Sequence, residues 1–208
     1  MPEDKPEQKP ASPPPAAGEK PAAAAPPKPA APAKPAGPTP QPWESEMVAR
    51  LRGRYGSGID PKTYLGQNYI VADPSIVYEL LQILRDDEQF DYCVDVTAVH
   101  YPQRKDQEFD IVWILYSFEH NQRVRVKAMI KDGDPAPSVV ALWSTANWLE
   151  RECYDMFGIR FQGHPDLRRI LLYDSFQGHP LRKDYPVARR HPIVEETDPV
   201  VNPLRPSR

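Results

Sequence analysis

Phe109-Asp110-Ile111-Val112-Trp113-Ile114-Leu115-Tyr116-Ser117-Phe118, then Glu119-His120-Asn121-Gln122, then Arg123-Val124-Arg125-Val126-Lys127-Ala128-Met129-Ile130, is the stretch that decides how this chain folds. Val124 and Val126 alternate with Arg125 and Lys127, the period of two that marks a strand with one buried and one wet face. The link of Glu119, His120, Asn121 and Gln122 is short enough for a hairpin, so the two runs predict an antiparallel pair. Tyr92 to Tyr101 predicts a third strand beside them.

Working outward, helical spacing replaces the alternation on both sides. Downstream, Asp132-Gly133-Asp134-Pro135 is turn chemistry, and Ser138 to Leu142 leads into a predicted helix from about Ser144 to Phe157. Leu142, Ala146, Leu149, Cys153 and Met156 or Phe157 form its apolar stripe, and Asn147, Arg151 and Asp155 a polar row on another face. Upstream, Tyr69 to Ala72 predicts a short strand. Asp73 then caps an expected helix with Pro74 in its first turn and Ile76, Leu80, Ile83 and Leu84 at helical intervals. Another short helix is expected from Glu44 to Tyr55, with Met47, Val48 and Leu51 on one side, before Gly53, Gly56 and Gly58 interrupt it.

Composition divides the 208 residues unevenly. Fifteen of the 27 prolines precede Trp43, in a stretch of Pro, Ala, Lys, Glu and Gln without aromatic or β-branched aliphatic residues to seed a core. Residues 1–42 are therefore expected to be a disordered arm, 43–157 an α/β domain and 158–208 an extended C-terminal segment. A net charge of -3 and a pI near 6.0 offer no general field for nucleic acid. The longest apolar stretch, Ile111 to Tyr116, falls far short of the ~20 residues that span a bilayer. Acids beside the first lysine and prolines in the Ala-rich part oppose a signal or transit peptide, so a cytoplasmic chain is expected. Cys93 and Cys153, isolated from each other, cannot supply the four thiolates of an iron–sulfur cluster.

Beyond Gly158 periodicity fails, apart from a single candidate turn near Leu167 to Leu172. Two similar pieces stand out: Gly163-His164-Pro165-Asp166-Leu167-Arg168-Arg169 and Gly178-His179-Pro180-Leu181-Arg182-Lys183-Asp184. In each, Pro pushes the preceding His out of the helical region and two adjacent cations follow. Metal binding would use His164, His179 and His191 with Asp166 or Asp184, although zinc ligands usually lie closer in sequence. Acid–base work could pair Glu150 with Tyr154, since Glu150 and Glu152 point apart on a helix; Arg151 with Asp155 reads as helix-surface ion pairing. Recognition is the third reading. Arg forks anchored by Tyr154, Phe157, Phe161 and Tyr185 suit a polar seam between protein chains, while Glu195, Glu196 and Asp198 oppose nucleic acid.

Glu150-Arg151-Glu152-Cys153-Tyr154-Asp155-Met156-Phe157-Gly158-Ile159, Gly163 to Leu171 and Gly178 to Tyr185 together closely resemble the family of the C-type, "30 kDa" hydrophilic subunit of bacterial NADH:quinone oxidoreductase, respiratory complex I. In general pattern the resemblance reaches back to Tyr69, and Ser138-Val139, Trp143 and Asn147-Trp148 also suit it. It implies an α/β fold of the α+β type: a small, mostly antiparallel sheet with flanking helices, then a C-terminal segment that wraps the large D-type subunit, a relative of hydrogenase large subunits. That partner and the B-type subunit, which carries the terminal cluster, form the quinone site.

The resemblance further implies a structural subunit of the peripheral arm of a proton-translocating enzyme, attached indirectly at the cytoplasmic side of the bacterial inner membrane. No catalytic, cofactor-binding or metal residue is expected in this chain; NADH, FMN, iron–sulfur clusters and quinone belong to the complex. Glu150, Arg151, Glu152, Asp155, Phe157, Gly158, His164, Pro165, Asp166, Arg168, Arg169, Gly178, His179, Pro180, Leu181, Arg182, Lys183, Asp184 and Tyr185 are the signature and the expected partner interface. Similar subunits serve ferredoxin-, deazaflavin- and hydrogenase-linked membrane complexes, and the unbroken Phe157 and His179 pattern favours the respiratory branch. A stand-alone metal-dependent hydrolase using the His-Pro turns is the reading from another class.

Overall fold

The computed structural model describes residues 38–188. Residues 1–37, most of the Pro/Ala arm, and residues 189–208, with His191, Glu195, Glu196 and Asp198, lie outside the described residues.

The hairpin at the centre of the sequence is the centre of the sheet. Strand β5 (Phe109–Ser117) pairs antiparallel with β6 (Gln122–Ile130) from Phe109 opposite Ile130 to Ser117 opposite Gln122. Asn121 takes a left-handed φ of 47° and its Oδ1 accepts from the Tyr116 hydroxyl at 2.6 Å, so the turn closes one residue earlier than expected, at Phe118–Asn121. β4 (Tyr92–His100) adds to the far side of β5, with an irregularity between Cys93 and Asp95.

A second hairpin, β2 (Ile59–Tyr64) and β3 (Gln67–Ala72), joins the other side of β6 through β3, and this β3–β6 seam alone is parallel among the six strands. The two-residue edge strand β1 (Gln41–Pro42) completes the order β1-β2-β3-β6-β5-β4, taking in the last two residues that composition assigns to the arm. The sheet is mixed but mostly antiparallel, as expected. β2 is the longest of the strands that sequence reading misses: Pro61 lies within it and Gly56 and Gly58 just before it, as they would in a loop.

Three helices supply the apolar partners. α1 (Glu46–Tyr55), α2 (Val77–Asp86) and α3 (Ala146–Phe157) place Val48, Leu51, Leu80, Leu84, Ala146 and Met156 in one core with Ile70, Trp113, Val126 and their strand neighbours. Each large aliphatic side chain buried there is worth about 1.5–3 kcal/mol. The Ser45 hydroxyl caps α1 by accepting from the Val48 N–H at 3.2 Å. Asp73 does not cap α2 as expected: its carboxylate accepts from the backbone and hydroxyl of Ser75, closing a separate turn, and α2 starts at Val77.

Compact structure also continues past the boundary expected at Phe157. β7 (Ala136–Pro137) and β8 (Phe161–Gln162) form a small parallel ladder, and Ile159 and Phe161 are buried in the core.

Candidate functional site

α3 carries a buried carboxylate around which the chain from Arg169 to Leu172 folds back. Asp155 is wholly buried, and its Oδ1 accepts from Arg169 Nη1 at 2.7 Å. Its Oδ2 accepts from three successive backbone N–H groups, Ile170 at 3.1 Å and Leu171 and Leu172 at 2.8 Å each. Burial alone would raise the Asp155 pKa, but the Leu172 and Leu171 amides, the Arg169 guanidinium and the Ile170 amide outweigh it and hold the carboxyl below its ordinary value. The candidate helical turn near Leu167 to Leu172 is instead an irregular bend wrapped around this carboxylate.

One helical turn earlier, Arg151 donates through Nε and Nη2 to the carbonyls of Arg168 and Arg169, at 3.1 and 3.0 Å, and lies 5.2 Å over the Trp148 ring. The expected Arg151–Asp155 surface pair is therefore replaced: each residue grips the returning chain rather than the other. Arg169 donates also to the Gly178 carbonyl at 3.1 Å, tying the first His-Pro turn to the second.

The histidines of the two turns act as helix fasteners. His164 accepts from the Asp166 N–H on Nδ1 at 3.0 Å, which leaves the ring proton on Nε2 to donate to the Asn147 carbonyl at 3.2 Å. His179 Nδ1 meets the Asp155 carbonyl at 2.9 Å and the Leu181 N–H donates to the Met156 carbonyl at 3.1 Å, so the second turn satisfies carbonyls that the end of α3 would otherwise leave open. Gly158 closes the helix with φ 82°, and an added Cβ there would lie 2.7 Å from the His179 ring.

Arg182 reaches further, to the other end of the sheet. Its guanidinium grips both oxygens of Asp132, at 3.0 Å through Nη1 and at 2.5 Å through Nη2, binds Asp184 through Nε at 3.1 Å, and lies 5.2 Å over the Phe109 ring. Next to it the Lys183 N–H donates to Nδ1 of the buried His100 at 3.0 Å, and His100 stacks on Phe109 at 4.6 Å. Because Nδ1 accepts that bond, the 3.8 Å approach of His100 to Asp184 is not an ion pair. Sequence reasoning did not single out His100, Asp132 or Phe109 as site residues; His100 and Lys183 stand 83 positions apart, and no local pattern joins them.

Each pair of adjacent cations thus splits. Arg169 and Arg182 turn into the chain, although both stand among the residues expected at the partner interface. Arg168, with a side chain 71% exposed and bonded to Asp166 at 2.9 Å, and Lys183, whose Nζ lies 5.5 Å from the Tyr101 ring centre, face out. Glu152, Pro165, Asp166, Leu181 and Asp184 are also exposed, while Phe157 is buried and Pro180 and Tyr185 are intermediate.

Glu150 does not meet Tyr154 in an acid–base pair. It is wholly buried, its Oε1 accepts from the Val139 N–H at 2.6 Å, and its Oε2 has no hydrogen-bond partner among the described residues. Burial raises its pKa to about 7, against the Val139 N–H and the Ser138 hydroxyl, which favour the carboxylate. Cys93 and Cys153 are buried thiols, with Cys93 pushed up to about 12 by burial, unsuited to nucleophilic chemistry. His164 and His179 fasten to carbonyls eight residues apart on α3, about 12 Å along its axis. They do not converge on a metal as the hydrolase reading requires, and no group of three potential ligands gathers among the described residues.

An inward-facing clasp of arginine, aspartate and histidine thus closes around the end of α3, on a mixed sheet. Residues 70–191 match the family model described as the respiratory-chain NADH dehydrogenase, 30 Kd subunit, and the chain belongs to this family. It is 46% identical over 146 residues to the first C-type subunit of NADH-quinone oxidoreductase from Rhizobium meliloti (strain 1021), covering 69% of this chain and 72% of that protein. With the C-type NADH-quinone oxidoreductase subunit from Hyphomonas neptunium (strain ATCC 15444) it shares 40% over 152 residues, 72% of this chain and 75% of the relative. Its fold is similar to a chain in the structure of an archaeal respiratory membrane complex, the membrane-bound sulfane sulfur reductase, at a TM-score of 0.60 and 22% identity, covering 69% of this chain and 85% of that one. Among the described residues no helix is long and apolar enough to cross a membrane.

Proposed function

We propose that this chain is a structural subunit of the peripheral arm of a proton-translocating NADH:quinone oxidoreductase. It holds no cofactor of its own, lies on the cytoplasmic side of a bacterial inner membrane, and assembles with the D-type and B-type subunits, so that electron transfer from NADH to quinone proceeds in neighbouring chains. One observation carries this reading: what the clasped segment leaves outward. Asp155, Arg151 and the two histidines hold the segment to α3, yet Leu171, Leu181 and Val187 stand 63%, 53% and 102% exposed, with Trp148 of α3 at 62%. Large apolar side chains left out by a segment fixed so firmly suit the apolar part of an interface, with Arg168 and Lys183 as its polar rim.

The test substitutes the outward residues. Leu171→Ala with Trp148→Ala, and separately Arg168→Ala, should leave the chain folded while weakening its recovery with the iron–sulfur and membrane subunits, the apolar pair more than the rim cation. Wild-type assembly and quinone reductase activity in all of these variants would sink the proposal. The archaeal fold likeness supports a second reading, the equivalent subunit of a complex with another electron donor. NADH oxidation by the purified particle separates the two.

A further inference from the structure

The face of the sheet turned away from the core carries a groove. One hollow of about 400 Å³ is lined by Gln67, Asn68, Tyr116, Asn121, Arg123 and Arg125 among others, and another of about 180 Å³ by Pro40, Tyr64, Gln67, Tyr69, Arg125 and Lys127. They share Gln67 and Arg125, so they adjoin across the β3–β6 seam. Neither lining contains an Asp or a Glu.

The charges of this face are unbalanced. Arg123, Arg125 and Lys127 are alternate residues of β6 and point to one side of it, and none has a carboxylate within ion-pair reach among the described residues. The acids nearest in the register are engaged or displaced: Asp60 pairs with Lys62, Asp110 with Arg104, and Asp95 is separated from Arg125 by Ile114. Aromatic and aliphatic side chains flank the cations, Tyr116 and Ile114 from β5 and Tyr69 from β3, whose ring lies 4.8 Å from Lys127 Nζ.

We propose that this groove docks an acidic helix of a neighbouring protein chain. Alternate residues on a strand stand ~6.8 Å apart, and residues i and i+4 on a helix ~6 Å. A helix lying along β6 with carboxylates at i, i+4 and i+8 therefore meets all three cations within the reach of their side chains, while its aliphatic flank covers Tyr116, Ile114 and Tyr69. This chain's own tails are poor occupants, because residues 1–37 hold five lysines against four acids and residues 189–208 four arginines against three acids. This docking does not rest on the clasped C-terminal segment or on the identity of the electron donor.

The experiment uses the intact complex. A zero-length carbodiimide, which joins amines to carboxylates, should couple Lys127 to an Asp or Glu in a helical segment of a companion chain. The triple variant Arg123→Glu, Arg125→Glu, Lys127→Glu should lower recovery of the chain with its companions at least tenfold, and reversing the coupled carboxylates to Lys should restore it. If the triple variant does not fold, as judged by its Tm, Arg125→Gln with Lys127→Gln should give a loss of several fold. Wild-type recovery of a folded variant overturns the inference. So does normal recovery combined with lost binding to phosphatidylcholine vesicles containing phosphatidylglycerol, which would assign the face to a membrane. Loss of assembly in Arg168→Ala but not in the groove variants would reject this surface while leaving the proposed function standing.

Discussion

The ring of His179 occupies the space that a side chain on Gly158 would need: an added Cβ would lie 2.7 Å from Cδ2 and 2.8 Å from Nε2. Two independent constraints therefore select glycine at this position, the left-handed φ of 82° and the imidazole packed against it. Gly158→Ala should destabilise the chain by more than the ~1–2 kcal/mol that the left-handed conformation alone costs a non-glycine residue. Combining it with His179→Ala should cost less than the sum of the two single changes, as a double-mutant cycle in denaturant would measure.

Asp155→Asn should be among the most damaging conservative changes. It keeps the volume but strands Arg169, which is 16% exposed, and weakens the acceptor for three backbone amides. Breaking a buried pair from one side costs about 3–5 kcal/mol. Because the folded-state pKa is lowered, the stabilisation is present above the ordinary value of 3.8 and is lost as pH falls through the folded-state value. Hydrogen exchange should find the amides of Ile170, Leu171 and Leu172 far less protected in the variant.

Glu150 acts in the opposite sense. Its folded-state pKa, about 7 against an ordinary 4.5, means that its contribution to stability is complete below 4.5 and is lost between 4.5 and about 7 as the buried carboxyl ionises. Glu150→Gln should remove that slope, roughly 3 kcal/mol across the window. Urea unfolding from pH 4.5 to 8 is the measurement, and a slope unchanged in the variant would reject the assignment.

Arg182→Ala and Arg168→Ala should diverge, although both arginines belong to the same kind of turn. Arg182, held by Asp132, Asp184 and the Phe109 face, ties the second turn to the sheet, so its loss should lower Tm and release the Lys183 contact with His100. Among the described residues the Arg168 side chain bonds only to the exposed Asp166, and its loss should leave Tm nearly unchanged. Thermal unfolding of the two purified variants, side by side, separates them.

What the sequence discloses here depends on how far apart the interacting residues lie. Alternation in Val124, Arg125, Val126 and Lys127 reports a strand because its cause, one buried face, acts on every second residue. Pro61 hides β2 because a missing N–H is a local signal, whereas the pairing of β2 with β3 is decided by Ile70 and Val71 across the hairpin. The polar row of α3 is legible as a row, but its direction is not. Asn147, Arg151 and Asp155 have the spacing of a solvated face, and only the return of residues 164–181 turns that face into an interior. The motif string identifies the family while misdirecting its own arginines, since a sequence records which cation follows a His-Pro turn and not which of the two finds Asp155 or Asp132.

The parallel seam between β3 and β6 sets the order in which the domain can form. Asn68 must find Val124, 56 positions later, so on the ribosome the β2–β3 hairpin emerges well before its central partner strand has been made. Loop-closure entropy delays such distant pairing relative to the local β4–β5–β6 meander. Until β6 is made, the β3 edge of that hairpin has no partner strand, and it is β6 that brings to it the three cations of the outer face.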